Sequence, residues 1–398
     1  MRVSSCSAKK EISEFIKILL GPAHNAGGVW GRIVVGCNPG QVGSMNRLDD
    51  DAFVEYSDSV KLGKRPEVSV IMVTYNHERY LAEAIEGVVR QETSFPIELL
   101  IGEDCSTDRT REIALSYQKR FPEMIRVITS EHNVGARENF ARLIAATRGK
   151  YIAFCEGDDV WIRSEKLERQ IALLESNPDI SLVCSNYQII SESGAILNSD
   201  VHRPPNGSEH YVTFEDVLLS GVVLTVTACT RRELVMRALG ESPLCREHTY
   251  LFGDTPLWVE LARYGKCYCV PKVFCSYRHS NNSATRQPDP LHTIRFYASL
   301  CEFLNDVLDL YPLPGGGAAT LEAKVRFTRG RLSAVAILGD PTTARKQLAR
   351  LRTLNITPTP RDRFLCCVAH IPLPRASLLS VNRKRVQLWR SVRKTMLE

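Results

Sequence analysis

Four consecutive residues, Glu156-Gly157-Asp158-Asp159, set three carboxylates where an apolar run, Tyr151 to Cys155, gives way to a turn. Carboxylate oxygens are hard donors, and a pair of them at a strand exit is a seat for a divalent cation that in turn grips a diphosphate. That chemistry points towards an activated nucleotide. Acidic turns also cap helices, so the cluster by itself leaves a capping role open. A further acid, Asp254, heads Asp254-Thr255-Pro256-Leu257-Trp258. From its residues alone this segment reads as a helix N-cap with proline in the first turn.

The elements that must position these acids repeat one layout of apolar run, polar turn and amphipathic stretch. Val68 to Val73 is continuous and β-branched, as expected of a strand buried on both faces, and it ends in Thr74-Tyr75-Asn76-His77 ahead of the helical spacing Leu81, Ile85, Val88. Ile97 to Ile101 ends in Glu103-Asp104-Cys105-Ser106-Thr107-Asp108, whose side-chain oxygens suit a helix N-terminus before a charged helix that closes near Pro122. Ile125 to Thr129 leads through Asn133-Val134-Gly135 into a helical stretch from Asn139 to Thr147, with Phe140, Leu143 and Ile144 on one face. Such alternation predicts an α/β fold with a parallel sheet and right-handed crossovers, and ligands in such sheets bind beyond the carboxyl ends of the strands. Asn76, Asp104 and Asp158 all sit at those ends.

These segments, with Gly253-Asp254-Thr255-Pro256-Leu257-Trp258 and Tyr277-Arg278-His279 downstream, resemble in order the nucleotide-sugar-dependent family-2 glycosyltransferases. The resemblance runs from about Pro66 to Ser283. It implies a Rossmann-like, mostly parallel sheet flanked by helices, the glycosyltransferase A-type fold. It also implies that Thr74, Tyr75 and Asn76 contact the nucleotide and that Asp104 binds the base. Glu156 and Asp158 occupy the family's acid-any-acid positions, where the second acid binds magnesium or manganese and the first faces ribose or metal-bound water. Glu156 stands where Asp is usual. Asp254 becomes the catalytic base that deprotonates an acceptor hydroxyl, with inversion at the anomeric carbon. His279 takes the place of a histidine that approaches the metal or diphosphate, although the family often sets it one position later. Arg278 is either a phosphate partner or a strand-edge cation. Trp161 and Trp258, which follow turns, read as packing residues.

A chain of 398 residues, 44% hydrophobic, can bury a catalytic core and a second element. The formal charge of +6 is concentrated at the end: from Asp340 onward there are 13 Lys or Arg against 3 Asp or Glu. Within that tail, Arg383 to Leu397 sets Val386, Leu388, Trp389, Val392 and Met396 among cations. This suits a helix on an anionic membrane surface, or one packed on the catalytic domain with a solvated basic face. No zinc-finger spacing or RNA-binding signature supports a nucleic-acid partner. No stretch reaches the roughly 18 to 20 apolar residues of a membrane span, so the expected setting is cytoplasmic, with peripheral contact at the inner membrane face. The 13 cysteines are scattered and read as reduced core residues.

The expected organisation is an extension over residues 1–64, poorly ordered and containing an alternative start at Met45, a catalytic domain over 65–285, and a C-terminal helical region with the basic tail over 286–398. Helices are predicted from Pro288 to Leu310, Ala318 to Leu338 and Thr342 to Leu354, with a linker at Pro312 and Gly315-Gly316-Gly317. Ser191 to Gly221, between the acidic cluster and Asp254, is expected on the acceptor side. The functional expectation is an inverting, metal-dependent glycosyltransferase that moves a sugar from a nucleotide-diphosphate sugar to a sugar or lipid-linked acceptor in surface polysaccharide or glycolipid synthesis. The alternatives are a non-catalytic nucleotide- or glycan-binding protein of the same fold and a sugar-phosphate nucleotidyltransferase. The second lacks its usual Gly-rich loop here, since the first turn reads Thr74-Tyr75-Asn76-His77-Glu78-Arg79.

Overall fold

The computed structural model describes residues 34–36, 53–63, 65–199, 201, 210–220, 223–246, 250–280 and 290–370. The chain divides into two compact units, Met1–His248 with Gly253–His279, and Thr249–Phe252 with Ser280–Glu398. The tail from Arg383, Met45 and part of the stretch from Ser191 to Gly221 lie outside the described residues.

In the first unit the chain order is β1 (Val34–Gly36), β2 (Val54–Tyr56), β3 (Val68–Thr74), α1 (Leu81–Val89), β4 (Ile97–Glu103), α2 (Thr110–Arg120), β5 (Ile125–Thr129), α3 (Ala136–Ala146), β6 (Tyr151–Phe154) and β7 (Val160–Trp161). Then come α4 (Lys166–Ser176), β8 (Ile180–Ser191), β9 (Ile196–Asn198), β10 (His210–Val212), α5 (Phe214–Ser220), a 3-10 turn (Thr225–Thr227), β11 (Cys229–Arg231), α6 (Arg232–Glu241), α7 (Pro243–Arg246), α8 (Thr255–Tyr264) and β12 (Lys266–His279). The strands form one mixed sheet in the order β1-β2-β5-β4-β3-β6-β11-β8-β12-β10, with β7 on β12 and β9 on β8. Its centre, β5-β4-β3-β6, is parallel throughout. From β3 the chain winds outward through β4 and β5, then returns to place β6 on β3's other side. That reversal opens a crevice at the carboxyl ends of β3 and β6, where α/β sheets bind ligands.

The sequence pattern explains the core. Of the seven residues of β3 six are buried, and all seven of β4 are, because both strands carry helices on either face. Val70, Met72, Leu99 and Ile101 are wholly buried, each contributing about 1.5–3 kcal/mol of apolar burial. Helix α1 presents Leu81, Ala84, Ile85 and Val88 to this core. Its Gly87 comes so close to β7 that a Cβ there would lie 2.7 Å from the Trp161 carbonyl oxygen. Helix α1 is thereby packed against the chain that leaves the acidic cluster.

The sheet extends past the boundary at residue 65. Val54–Tyr56 pairs antiparallel with β5, and Glu55 makes a buried fork with Arg126, at 2.8 and 3.0 Å. Two strands thus come from the stretch that the sequence reads as an extension. Among the described residues the cysteines are free thiols, nearly all buried.

The second unit contains α9 (Pro290–Leu310), α10 (Gly316–Leu338), α11 (Pro341–Thr353) and α12 (Pro360–Ala369). The three expected helices occur within two residues of their predicted bounds. Helix α12 begins with a capping box formed by Thr359 and Asp362 and buries Leu365, Cys366 and Ala369. Among the described residues no helix is long and apolar enough to cross a membrane.

Candidate active site

The loops at the carboxyl ends of β3 and β4 are laced together. Asn76 has a left-handed backbone, φ 54°, which turns its amide towards the neighbouring loop. Its N–H donates to Ser106 Oγ (3.0 Å), and its side-chain oxygen accepts from the Thr107 N–H (2.9 Å). The His77 N–H donates to Thr110 Oγ1 (2.8 Å). Thr74 is buried below this loop, whereas Tyr75 and Asn76 are exposed at its rim.

Asp104 is 2% exposed, and its two oxygens accept the backbone N–H groups of Val134 and Gly135, each at 2.9 Å. Two successive N–H groups converging on one carboxylate form a rigid turn, and Gly135 allows it with φ 88°. Glu103 beneath is fully buried and accepts from Arg111, Thr129 and the Ser106 N–H. Burial raises its carboxyl, but those donors outweigh burial and hold it below the usual range.

Across the crevice, Glu156, Asp158 and Asp159 follow β6. Burial first, then the charges of Asp158 and Asp254, push the Glu156 carboxyl up to about 8. Burial, Asp158 and Glu156 likewise raise Asp159 well above the carboxylate range. Asp159 Oδ1 accepts the Arg278 N–H at 2.8 Å, while its buried Oδ2 has no hydrogen-bond partner. His77 Nε2 lies 4.0 Å from Asp158 Oδ2. Gly157 is squeezed between these groups: a Cβ there would stand 2.6 Å from Thr74 Oγ1 and 2.9 Å from His77 Nδ1, both themselves buried and unpartnered.

Arg278 is a buried clamp rather than a strand-edge cation. It is 2% exposed, its guanidinium donating to the carbonyls of Asp158, Ser191 and Glu192 and pairing with Glu83 at 2.6 Å. It binds α1, the acidic loop and the β8–β9 turn into one body. An open cleft of about 600 Å³ lies over it, between Tyr80 and the turn at residues 192–194. His279, the next residue, packs its ring edge-on against Tyr277 at 5.5 Å. Trp161 and Trp258 are buried, as expected of packing residues.

Asp254 caps α8. Oδ1 accepts the Thr255 N–H (2.7 Å), and Oδ2 accepts from Thr225 Oγ1 (2.7 Å). The Asp254 charge is one of those acting on Glu156, so the two acids predicted from distant segments share one electrostatic site. Thr225 and His77 are contributors that the motifs do not single out. His77 adjoins a recognised turn, but nothing in the local sequence around Thr225 marks it.

Three crowded acids, two with raised carboxyls, and a buried unpartnered oxygen on Asp159 suit a group that brings positive charge. Among the described residues no three His, Cys, Asp or Glu side chains converge closely enough to hold a metal alone, so Glu156, Asp158 and His279 do not form a closed ligand set. Magnesium and manganese need no such cage, since one or two carboxylates with substrate phosphates and water suffice.

Parallel core, switch-point crevice and acidic strand exit define a glycosyltransferase of the A-type fold. Residues 69–237 match the profile of Glycosyl transferase family 2; that segment is a domain of the family, and the chain is a glycosyltransferase. An uncharacterised protein of Mycobacterium tuberculosis is 28% identical over 83% of this chain and 87% of its own length. TuaG of Bacillus subtilis, which bears the name of a teichuronic acid biosynthesis glycosyltransferase, is 29% identical over 55% of this chain and 81% of its own. Two solved structures share the fold at 16% identity. Staphylococcus aureus TarS 1-349 with UDP-GlcNAc has a TM-score of 0.52, covering 82% of this chain and 92% of its own. The mannosyltransferase PcManGT of Pyrobaculum calidifontis with GDP-Man and Mn2+ has a TM-score of 0.50, covering 84% and 85%.

Proposed function

We propose that this glycosyltransferase is inverting and metal-dependent, moving a sugar from a nucleotide-diphosphate donor to an acceptor hydroxyl in the synthesis of a surface polysaccharide or glycolipid. The observation that supports this reading is that Asp254 and the acidic cluster lie in one compact unit with the Asp254 charge acting on Glu156, an arrangement that suits a base beside a diphosphate seat. The UDP-GlcNAc of TarS, the GDP-Man and Mn2+ of PcManGT and the teichuronic acid in TuaG's name support the same donor and product classes.

The donor's nucleotide would lie against Thr74, Tyr75 and Asn76. Asp104 would hold the turn at Val134 and Gly135 and use its remaining lone pairs on the base. Asp158 and Glu156 would be the protein's ligands to Mg2+ or Mn2+, which supplies Lewis-acid stabilisation of the departing diphosphate. Asp254 Oδ2 takes the proton of the acceptor hydroxyl. The acceptor oxygen then bonds to the anomeric carbon as the bond from that carbon to the diphosphate breaks on the opposite face. The cleft above Arg278 is the proposed acceptor side. For a lipid-linked acceptor, the basic tail from Arg383 would hold the enzyme at an anionic membrane face.

The test is release of nucleoside diphosphate from uridine, guanosine and thymidine diphosphate sugars, with Mn2+ or Mg2+ and with chelator, comparing wild type with Asp254→Asn. Metal-dependent release from one donor, reduced about 10²- to 10⁴-fold in the variant, is the expected result. Donor binding without turnover, with sugar and lipid acceptors supplied, favours the binding-protein alternative.

A further inference from the structure

We propose that Thr225 is the positioning residue of the transfer step, its hydroxyl holding Oδ2 of Asp254 in the one orientation from which it can take the acceptor's proton. The inference rests on the reading of Asp254 as base.

The two oxygens of Asp254 have different tasks. Oδ1 caps α8, accepting both the N–H and, at 3.2 Å, the hydroxyl of Thr255. A carboxylate torsion is broad and two-fold, so a cap on Oδ1 alone leaves the two lone pairs of Oδ2 free to swing. The Thr225 hydroxyl at 2.7 Å removes that freedom. It occupies one lone pair of Oδ2 and leaves the other for an incoming hydroxyl. It also donates to a carboxylate whose neighbour, Glu156, is itself an acid.

The 3-10 turn that carries Thr225 is fixed by the segments that carry the acidic cluster. Thr225 is 7% exposed. The next carbonyl, of Val226, accepts the indole N–H of Trp161 (3.0 Å) and the thiol of Cys275 (3.2 Å). The carbonyl of Thr227 accepts from the Gln170 side chain (2.8 Å). Trp161 lies two residues after Asp159, and Cys275 three before Arg278, whose N–H holds Asp159. The turn therefore sets where the base stands relative to the diphosphate seat. In the transfer step Thr225 keeps its own proton throughout; the acceptor's proton passes to Asp254, and the bonding electrons of the sugar–diphosphate link leave with the nucleoside diphosphate.

Thr225→Val keeps the shape and removes the donor; Thr225→Ser keeps the donor. With UDP-N-acetylglucosamine, UDP-glucose and GDP-mannose as probes in MnCl2, the expected result is a kcat for nucleoside diphosphate release about 10- to 100-fold lower in Thr225→Val, with the donor Kd unchanged. Thr225→Ser should recover most of it. In an Asp254→Asn background Thr225→Val should cost nothing further, a non-additivity that simple destabilisation would not produce. Wild-type kcat in Thr225→Val overturns the proposal, as does equal loss in both Thr225 variants. Full activity in Asp254→Asn instead sinks the base assignment itself. A crystal structure of Thr225→Val supplies a readout independent of substrate: an Asp254 carboxylate unmoved and as well ordered as in wild type also overturns the proposal.

Discussion

The backbone N–H of Arg278, at the far end of the sheet's longest strand, donates to Oδ1 of Asp159 in the acidic loop, 2.8 Å away. The guanidinium of the same residue closes on the loop's carbonyl at Asp158 and on Glu83 of α1. One residue thus holds the acidic cluster by both main chain and side chain. Arg278→Met keeps the first contact and removes the rest, stranding buried carbonyls. It should cost about 3 kcal/mol in urea unfolding. Arg278→Lys should recover only part, because an ammonium cannot span the fork.

Asp104→Ala leaves the half-buried N–H of Val134 without its acceptor, while that of Gly135 keeps Asn133 Oδ1 at 3.0 Å. An unmet donor of this kind costs about 1 kcal/mol. The expected outcome is a lower melting temperature and weaker binding of UDP or GDP by calorimetry, since the turn that loses its anchor adjoins the nucleotide loop. Wild-type binding together with wild-type stability would show that the turn holds itself.

Stability should fall in acid. Glu103 and Glu55 both have carboxyls held below their ordinary value of 4.5: burial opposes, but hydrogen bonds and cations prevail, chiefly the Ser106 N–H for Glu103 and Arg126 for Glu55. A carboxyl depressed on folding contributes stability that is complete above its unfolded value and is lost as pH falls through the folded one. Unfolding free energy should therefore decline below about pH 4.5. Glu103→Gln should be less stable at pH 7 and show a shallower slope across that window, read from urea titrations at successive pH.

Divalent cation and nucleotide together should stabilise the protein. Ligand at 100 times its Kd adds about 2.7 kcal/mol to folding. With MnCl2 and UDP or GDP present, the melting temperature should rise by several degrees, fall back with EDTA, and rise less in Asp158→Asn. A nucleotide shift equal with and without chelator would argue against a cation at the acidic loop.

The parallel core was legible because strands buried on both faces must be continuously apolar, as Val68 to Val73 and Ile97 to Ile101 are, and because each is followed by a helical spacing. The short chemical segments were legible for the same reason: Asn76, Asp104 and Asp158 sit where apolar runs stop. The end of the sheet was not. Val54–Tyr56 has three residues and no period, and its place comes from pairing with β5 and from the Glu55–Arg126 fork, whose partners lie 71 residues apart.

The sequence alone determined the alternating strands and helices and the residues at the strand ends, because periodicity and local turn chemistry are written in neighbouring residues; the family was legible through the resemblance of its ordered motifs. Only the tertiary structure decided what those residues touch. It turned both oxygens of Asp104 onto a backbone turn, buried Arg278 as a clamp, brought His77 to the side of Asp158, and gave Asp254 a partner in Thr225. Each is a long-range hydrogen bond or ion pair, set by how strands and helices pack, and packing has no local signature.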